Sequence, residues 1–165
     1  MANRNKIDLS GQCGIVTGAA AGLGFGIAQR LVESGARIAL WDVNPKALDE
    51  AVAKLGKDKV IGVVGNIADA KSVEDGVGAT MKAFGSIDIC VNNAGISGPN
   101  VVTWEYPIDA WKQVVDINLT CVSGQLGCGI FKMVDFALEI QGQFIQRQIQ
   151  VIGFCVLSVK INAAV

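Results

Sequence analysis

The sequence CGIVTGAAAGLG, residues 13–24, decides which fold the rest of the chain can adopt. Residues 13–17 are small or β-branched and are typical of a short buried strand. Glycines and alanines follow, and from Leu23 to Ser34 apolar side chains recur at the spacing of one helix face. In such a unit the free N–H groups and the positive dipole end of the helix attract a phosphate. The segment therefore predicts a strand, a glycine-rich turn and a helix that together bind a phosphate group.

Short runs of strand character and longer segments of helical period alternate after this unit. Strands are predicted at 37–41, 59–64 and 87–92, and helices at 45–55, 70–84 and 108 to about 119. Strands that are separated by helices of this length pair in parallel through right-handed crossovers. The sequence therefore predicts an α/β fold in which residues 1–120 form a doubly wound, mostly parallel sheet.

Residues 121–165 continue this pattern poorly, and we expect them to form an atypical C-terminal tail of the same domain. Three glycines within 124–129 interrupt what would otherwise be a helix, each at a cost of about 1 kcal/mol relative to alanine. Residues 131–140 have helical character, whereas residues 144–161 alternate loosely and favour one or two strands.

The composition describes a chain that can bury a core of its own. Of its 165 residues, 51% are hydrophobic and 18% are charged, which argues against disorder. The net charge of -1 lacks the basic excess of a nucleic-acid-binding surface. The amino terminus lacks the pattern of a signal peptide, and the longest apolar run near the end, residues 151–157, is too short to cross a bilayer. We therefore expect one domain without nucleic-acid or membrane partners.

Five cysteines and the absence of histidine restrict the chemistry. No two cysteines form a CxxC pair, and the common zinc ligand sets need histidine or such pairs, so no metal site is expected. Apolar neighbours favour reduced, buried thiols and a cytoplasmic location. Any general acid or base must then be a tyrosine, lysine, cysteine or carboxylate. The chain has a single tyrosine, Tyr106.

The turn after the first strand is predicted to hold the pyrophosphate of a dinucleotide. Its missing side chains let the phosphates approach the N-terminus of the following helix. The residues expected to contact the cofactor here are Gly18, Ala20, Ala21, Gly22, Leu23 and Gly24. The alternative is that these glycines make an ordinary turn, but the strand before them and the amphipathic helix after them favour binding.

An acidic residue at the end of the second strand indicates which dinucleotide is bound. The carboxylate of Asp42 is placed to accept hydrogen bonds from both ribose hydroxyls of the adenosine half, and it would repel a 2′-phosphate. The following residues, Val43 and Asn44, carry no positive charge. The sequence therefore predicts NAD rather than NADP. A second interpretation, compatible with the first, is that Asp42 caps the turn into Asn44 and Pro45.

Four motifs in this order resemble the short-chain dehydrogenase/reductase family. They are the TGxxxGxG loop at 17–24, the acidic Asp42, the segment NIAD at 66–69 and the segment NNAG at 92–95. Asn118 is similar to the asparagine of that family's central helix. The resemblance covers Lys6 to about Thr120 and is closest to the 3-oxoacyl-carrier-protein reductase and sugar dehydrogenase branches. It implies a Rossmann-type fold, truncated relative to the family, and an oxidoreductase acting with NAD on a secondary alcohol or ketone.

The resemblance implies contacts with both ends of the cofactor. Two residues after the third strand hold the adenine, and three residues after the fourth strand pass their backbone close to the nicotinamide ribose. In that order these residues are Asn66, Ile67, Asn93, Ala94 and Gly95. The remaining asparagine of the motif, Asn92, is expected to tie neighbouring strands together. The alternative is that NNAG makes an ordinary turn at a strand end.

The same resemblance implies a catalytic set of serine, tyrosine, lysine and asparagine, of which Asn118 alone is present. In the family this asparagine holds a water that relays protons. Counted from Asn118, the other three positions fall near Gln146, Val159 and Ala163. Tyr106 precedes the central helix and has alanine, not lysine, four residues later, so we expect it to be a loop residue. The sequence therefore predicts NAD binding without turnover.

Three functional interpretations remain open. The first is an oxidoreductase-family product whose second half is replaced and which binds NAD without turnover. The second is a working enzyme that uses Cys121, Cys128 or Lys160 as acid or base, or that completes its site within an oligomer. The third is an NAD sensor or interaction module that pairs through its glutamine-rich tail. The NNAG segment and the loop spacing disfavour a methyltransferase. The substrate is not encoded, and a homo-oligomer is compatible with each interpretation.

Overall fold

The computed structural model describes residues 7–125 and 156–159, with side chains described for residues 7–121. Strands and helices alternate along most of this length. In chain order the elements are β1 (Cys13–Thr17), α1 (Gly22–Glu33), β2 (Arg37–Asp42), α2 (Pro45–Leu55), β3 (Val60–Val64), α3 (Ala70–Phe84), β4 (Ile89–Asn92), a 3-10 turn (Thr103–Glu105), α4 (Ile108–Val115), a π-helical segment (Asp116–Gln125) and β5 (Val156–Val159).

The strands form one sheet in the order β3-β2-β1-β4-β5. β1 pairs in parallel with both β2 and β4, and β2 pairs in parallel with β3. β5 pairs with β4 in the antiparallel direction. The predicted doubly wound, mostly parallel sheet is therefore confirmed. Because the strand order reverses beside β1, the carboxyl ends of β1 and β4 flank a topological switch point, where α/β sheets bind their ligands.

Two helices begin at residues whose side chains cap them. The Asn44 side chain accepts a hydrogen bond from the N–H of Ala47 at 3.1 Å, and Pro45 occupies the first turn of α2, where its missing N–H costs nothing. The Asp69 side chain accepts from the N–H of Ser72 at 2.9 Å and caps α3. α1 has no such side chain, since its cap residue is Ala21.

The helix predicted from residue 108 to about 119 is present, but its second half is not an α-helix. α4 ends at Val115, and a π-helical segment continues from Asp116 to Gln125. Segments of this kind widen the helical turn and are frequent at functional sites. Here the wider turn accompanies two hydrogen bonds between the Asn118 side chain and the backbone of Ile96, a long-range contact that local sequence periodicity does not indicate.

Alternate residues of the central strand serve two cores, one on each face of the sheet. Ile15 belongs to a cluster with Trp41 and with residues of α3, whereas Val16 belongs to a cluster with residues of α1 and α2. Both side chains are fully buried. Since burial of apolar surface is the main stabilising term in folding, the near-continuous apolar character of β1 follows from this double coverage.

Three cysteines of the described region, Cys13, Cys90 and Cys121, are buried free thiols. Burial raises the pKa of the Cys90 thiol from its ordinary value of 9.0 to about 12. The other two cysteines, Cys128 and Cys155, lie outside the described residues. Because the folded state holds the Cys90 proton more tightly than the unfolded state does, this thiol links stability to alkaline pH.

We expect the wild-type chain to lose stability more steeply than the Cys90→Ala variant as the pH rises. The contribution of Cys90 is fully present below 9.0 and is lost toward about 12. The excess slope should approach about 1.4 kcal/mol per pH unit, the value for one proton. Urea unfolding of both proteins at several pH values between these limits measures it, and parallel pH dependences would contradict the assignment.

Two further properties of the described residues bear on function. None of the helices within residues 7–125 has both the length and the hydropathy needed to cross a membrane. In residues 7–125 and 156–159, no group of three or more histidine, cysteine or acidic residues is arranged to hold a metal ion.

Candidate nucleotide-binding site

The hydroxyl of Thr17, at the end of β1, joins the two sides of the switch point. It accepts hydrogen bonds from the N–H groups of Asn93 and Ala94 at 3.0 and 3.1 Å, and it donates to the carbonyl of Val91 at 3.4 Å. These contacts use the single proton and both lone pairs of the hydroxyl. Thr17 is fully buried. The glycine loop after β1 and the NNAG segment after β4 are therefore held as one unit.

The side chain of Asn93 adds two hydrogen bonds between the NNAG segment and the start of the glycine loop. Its amide nitrogen donates to the carbonyls of Thr17 and Gly18 at 2.9 and 3.3 Å. The prediction that Asn92 ties the strands is wrong, because its side-chain oxygen faces the Cys90 thiol of the same strand at 3.8 Å. The tie is made instead by Asn93, the first residue after the strand.

Two glycines of the loop show why these positions have no side chain. Gly22 has φ +56°, and a Cβ placed on it would meet nothing within 4 Å, so the space in front of it is open. A Cβ on Gly24 would overlap the carbonyl oxygen of Gly18 and lie 2.5 Å from the amide nitrogen of Asn93. The loop is therefore closely packed at Gly24 and faces open space at Gly22.

The N-terminus of α1 fits an anionic ligand. The first N–H groups of any helix have no intrahelical partner, and side chains usually satisfy some of them. α2 and α3 follow that rule, but α1 has neither a capping side chain nor an acidic residue in its first turn. The N–H groups of residues 22–24 and the positive end of the helix dipole are thus available to a pyrophosphate.

Asp42, at the end of β2, uses both carboxylate oxygens within the protein. One oxygen accepts from the N–H of Asn44 at 3.1 Å, which confirms the interpretation that Asp42 caps this turn. The other accepts from the N–H of Ala20 in the glycine loop, also at 3.1 Å. A carboxylate has about four acceptor positions, so two remain for ribose hydroxyls. The turn cap and the proposed ribose contact are compatible.

The two residues predicted to hold the adenine occupy different environments. The exposed Asn66 uses its side-chain oxygen to accept from the N–H of Ala68 at 2.9 Å. Ile67 is 6% exposed, and its side chain belongs to the core beneath α3. A contact between residue 67 and adenine would therefore involve the backbone, whereas the amide nitrogen of Asn66 can donate to the base.

Asn118 pairs with the backbone of one residue, Ile96, in the segment that follows β4. Its side-chain oxygen accepts from the N–H of Ile96 and its amide nitrogen donates to the carbonyl of Ile96, both at 2.9 Å. A Cβ on Gly95 would lie 3.2 Å from the same oxygen. Asn118 thus fixes the backbone at the expected nicotinamide end of the site, which is a positioning role.

Removing the Asn118 side chain should loosen this segment. We expect Asn118→Ala to lower the free energy of unfolding by about 1–3 kcal/mol, since two hydrogen bonds are lost at about 0.5–1.5 kcal/mol each. Asn118→Asp should not rescue stability, because it turns a carboxylate oxygen toward the carbonyl of Ile96. Chemical denaturation measures both variants, and Asn100→Ala, at an exposed loop position, is the control. Equal stability of all three proteins would contradict the role.

Tyr106 packs within the loop that precedes α4. Its hydroxyl lies against Gly98, and its ring meets the ring of Trp111 edge-on, with centroids 6.2 Å apart and an interplanar angle of 88°. Tyr106 is half-buried, and Ala110 occupies the position four residues later. These contacts place Tyr106 in the packing of its own loop.

Of the residues considered as alternative acids or bases, Cys121 lies within the described residues and is poorly arranged for that task. β5 is antiparallel, with Val156 opposite Asn92 and Val159 opposite Ile89, so it runs away from the switch-point edge. The Cys121 thiol donates to the backbone carbonyl of Asp116 at 2.7 Å. Burial and the nearby Asp116 carboxylate both raise the pKa of Cys121, which keeps it protonated. Cys128 and Lys160 lie outside the described residues.

The sequence did not predict two sets of contacts in the candidate site, the hydrogen bonds of the Thr17 hydroxyl and the bond from the Ala20 N–H to the Asp42 carboxylate. The available signal was the position of these residues at the carboxyl ends of adjacent parallel strands, since such ends meet at one edge of the sheet. The pattern indicated proximity, but it could not assign individual hydrogen bonds.

A mostly parallel sheet with a glycine turn at its switch point and an acidic residue ending the neighbouring strand is typical of a dinucleotide-binding α/β domain. The sequence model of the family described as short chain dehydrogenase matches residues 12–156. The chain belongs to that family, whose members are oxidoreductases that use a nicotinamide cofactor. The match extends beyond residue 120, where the resemblance carried by the sequence motifs ends.

Individual relatives agree with this family. The chain is 37% identical over 130 residues to the 2-dehydro-3-deoxy-L-rhamnonate dehydrogenase (NAD(+)) of Sphingomonas sp. (strain SKA58), covering 79% of this chain and 50% of the relative. It resembles the solved glucose/ribitol dehydrogenase of Brucella melitensis, with a TM-score of 0.72, 29% identity and coverage of 77% and 53%. The 3-ketoacyl-(acyl-carrier-protein) reductase of Brucella melitensis complexed with NADH gives a TM-score of 0.71 at 25% identity, with coverage of 82% and 53%. The chain spans about half the length of the curated relatives it matches.

Proposed function

We propose that this chain binds NAD(H) at the switch point and does not by itself transfer hydride. The observation that carries the proposal is the uncapped N-terminus of α1, held against the end of β4 by Thr17 and Asn93. The loop at 18–24 holds the pyrophosphate, residues 66 and 67 hold the adenine, and residues 93–95 approach the nicotinamide ribose.

The preference for NAD over NADP rests on the charge near the adenosine ribose. The Asp42 carboxylate would repel a 2′-phosphate, and the adjacent Ala20, Ala21, Val43 and Asn44 carry no positive charge to offset that repulsion. The name of one relative specifies NAD(+), and one similar solved structure holds NADH, which supports the same cofactor here.

The proposed lack of turnover follows from the acid–base groups of the sequence. Bound NAD supplies the hydride acceptor for a secondary alcohol, but the alcohol proton also needs a base. A phenol serves near neutral pH when a neighbouring cation stabilises its phenolate. The single tyrosine of the chain is Tyr106, which packs against Gly98 and has alanine four residues later. Asn118 positions the backbone of Ile96 and cannot replace that base.

Titration of the full-length chain with NAD tests the proposal. We expect NAD at 100 times its Kd to stabilise the folded state by about 2.7 kcal/mol, with a matching rise in Tm. NADP at the same concentration should give a clearly smaller rise. NADH formation with secondary alcohols, including sugars and polyols, should stay at background. Turnover above background, or equal stabilisation by NADP, would contradict the proposal.

A second candidate is a non-catalytic NAD sensor that acts through a copy of itself. The observation that favours it is an exposed apolar surface on and before α4, where Trp104, Ile108 and Trp111 are 84%, 72% and 61% exposed. Analytical ultracentrifugation of the full chain with and without NAD distinguishes this candidate, which requires a change in oligomeric state.

The buried free thiols of the described region support the cytoplasmic location that either function would have.

A further inference from the structure

We propose that Asp42 is a positioning residue of the glycine loop in the ligand-free chain, in addition to its proposed contact with ribose. The contact that carries this inference is the 3.1 Å hydrogen bond from the N–H of Ala20 to the Asp42 carboxylate, which joins residues 22 positions apart in the sequence. The consequence for ligand binding rests on the proposed NAD site, whereas the loop contact itself does not.

The end of β2 is a rigid support for this bond. β2 lies between β1 and β3 in the sheet. The carbonyl of Asp42 accepts from the N–H of Gly65, which follows β3, at 3.0 Å. The carbonyl of Trp41 accepts from the N–H of Ala19 at 3.1 Å. Two consecutive N–H groups of the loop, those of residues 19 and 20, are therefore hydrogen-bonded to two consecutive residues of β2.

This attachment determines which loop amides can face a phosphate. The amides of residues 19 and 20 point toward β2, and the first-turn amides of residues 22–24 remain for the ligand. Without an acceptor at position 42, the Ala20 N–H would need another partner, and the loop could rotate away from its binding geometry. A pre-organised loop binds more tightly because less conformational freedom is lost on binding.

A carboxylate suits position 42 for a reason that ribose recognition alone does not explain. It places a negative charge beside a loop that is proposed to bind an anion, which is unfavourable for the phosphates. The carboxylate accepts hydrogen bonds from the N–H groups of Ala20 and Asn44 at the same time, and it keeps further acceptor positions. In asparagine one of the two oxygens is replaced by an amide nitrogen that donates, so the N–H groups of Ala20 and Asn44 no longer each face a side-chain oxygen.

Amide hydrogen exchange of the ligand-free, full-length chain tests the loop contact directly. We expect Asp42→Leu, which is nearly isosteric but accepts no hydrogen bond, to speed exchange of the Ala20 amide at least about 10-fold, because the bond that protects it is lost. Asp42→Asn should give an intermediate rate. Asn44→Ala, which removes the cap of α2 and leaves the Asp42 carboxylate in place, is the control and should not change the Ala20 rate. Equal Ala20 exchange in the wild type and the Asp42→Leu variant would overturn the inference.

Inorganic pyrophosphate, which has no ribose, separates positioning from ribose recognition. The Asp42→Asn and Asp42→Leu variants are both uncharged at this position, so their difference reports the hydrogen bond rather than the charge. We expect pyrophosphate to bind the leucine variant at least about 3-fold more weakly than the asparagine variant, as expected for a hydrogen bond of modest net strength. Equal affinities would overturn the link between loop position and binding. Failure of NAD to bind the wild type would instead reject the proposed function and leave the exchange result intact.

Discussion

Replacing Gly24 by alanine should destabilise the chain and weaken NAD binding at least about 100-fold. The added methyl group would overlap the carbonyl oxygen of Gly18 and approach the Asn93 amide nitrogen at 2.5 Å. The overlapping atom belongs to the backbone of the loop, so relief requires movement of the loop itself. Overpacking of this kind costs about 1–3 kcal/mol in folding free energy. The loss of NAD affinity should be large relative to the loss of stability, because the loop that moves is the proposed pyrophosphate site.

Gly26→Ala is the matched control, since it adds the same methyl group two residues later in the same helix. A Cβ at Gly26 meets nothing within 4 Å, and the residue is exposed. Alanine has a higher helix propensity than glycine, so this variant should be more stable by about 0.5–1 kcal/mol and should keep its NAD affinity. Thermal unfolding and NAD titration of both variants measure these effects. If Gly24→Ala binds NAD like the wild type, the loop geometry described above is wrong.

Truncation of Trp41 to alanine should cause the largest loss of stability, about 3–5 kcal/mol, as expected for a large buried aromatic side chain. Trp41 is 1% exposed, and its indole N–H donates to the Thr80 hydroxyl at 3.2 Å. Gly76 leaves room for the ring, because a Cβ there would lie 2.6 Å from it. NAD affinity should fall as well, since Trp41 immediately precedes Asp42 and its carbonyl holds the glycine loop.

Trp104→Ala supplies the comparison for this large effect. Trp104 is 84% exposed, so its truncation should change the free energy of unfolding by no more than about 0.5 kcal/mol. Thr80→Val, which leaves the indole N–H without its acceptor, should cost about 1–3 kcal/mol. Urea denaturation of Trp41→Ala, Thr80→Val and Trp104→Ala measures how much each lowers the free energy of unfolding. Similar losses for the two tryptophans would show that Trp41 does not anchor α3 to the sheet.

The two variants test different levels of the same arrangement. Gly24 affects the loop that is proposed to bind the phosphates, whereas Trp41 affects the strand to which that loop is hydrogen-bonded. The structure connects them through Ala19 and Ala20, whose amides bond to the carbonyl of Trp41 and to the carboxylate of Asp42. A cofactor site at the switch point therefore depends on core packing as well as on the residues that would touch the ligand.

The order of strands and helices could be read from the sequence because it depends on local patterns. Short runs of strand character predicted β1 to β4, and segments of helical period predicted α2 and α3. Parallel pairing followed from the crossovers. These predictions succeeded because strand and helix formation is set mainly by which side chains can be buried on which face.

The partners of individual polar groups could not be predicted in this way. The sequence assigned the tie between strands to Asn92, but Asn93 makes it, because the end of β4 decides which side chain turns toward β1. The hydrogen bonds of Asn118 within the π-helical segment are made to the backbone of Ile96, 22 residues earlier in the chain. The antiparallel direction of β5 is likewise a matter of pairing with β4, which alternation within a segment does not specify.

The sequence by itself determined the class of fold, the glycine loop, the acidic residue at its side and the family. It could do so because each depends on residue types at fixed spacing within one βαβ unit. The tertiary structure alone decided that Thr17 and Asn93 clamp the loop to β4 and that Asp42 holds Ala20. These are contacts between the ends of different strands, and hydrogen bonds form only between groups that folding has brought within about 3 Å of each other.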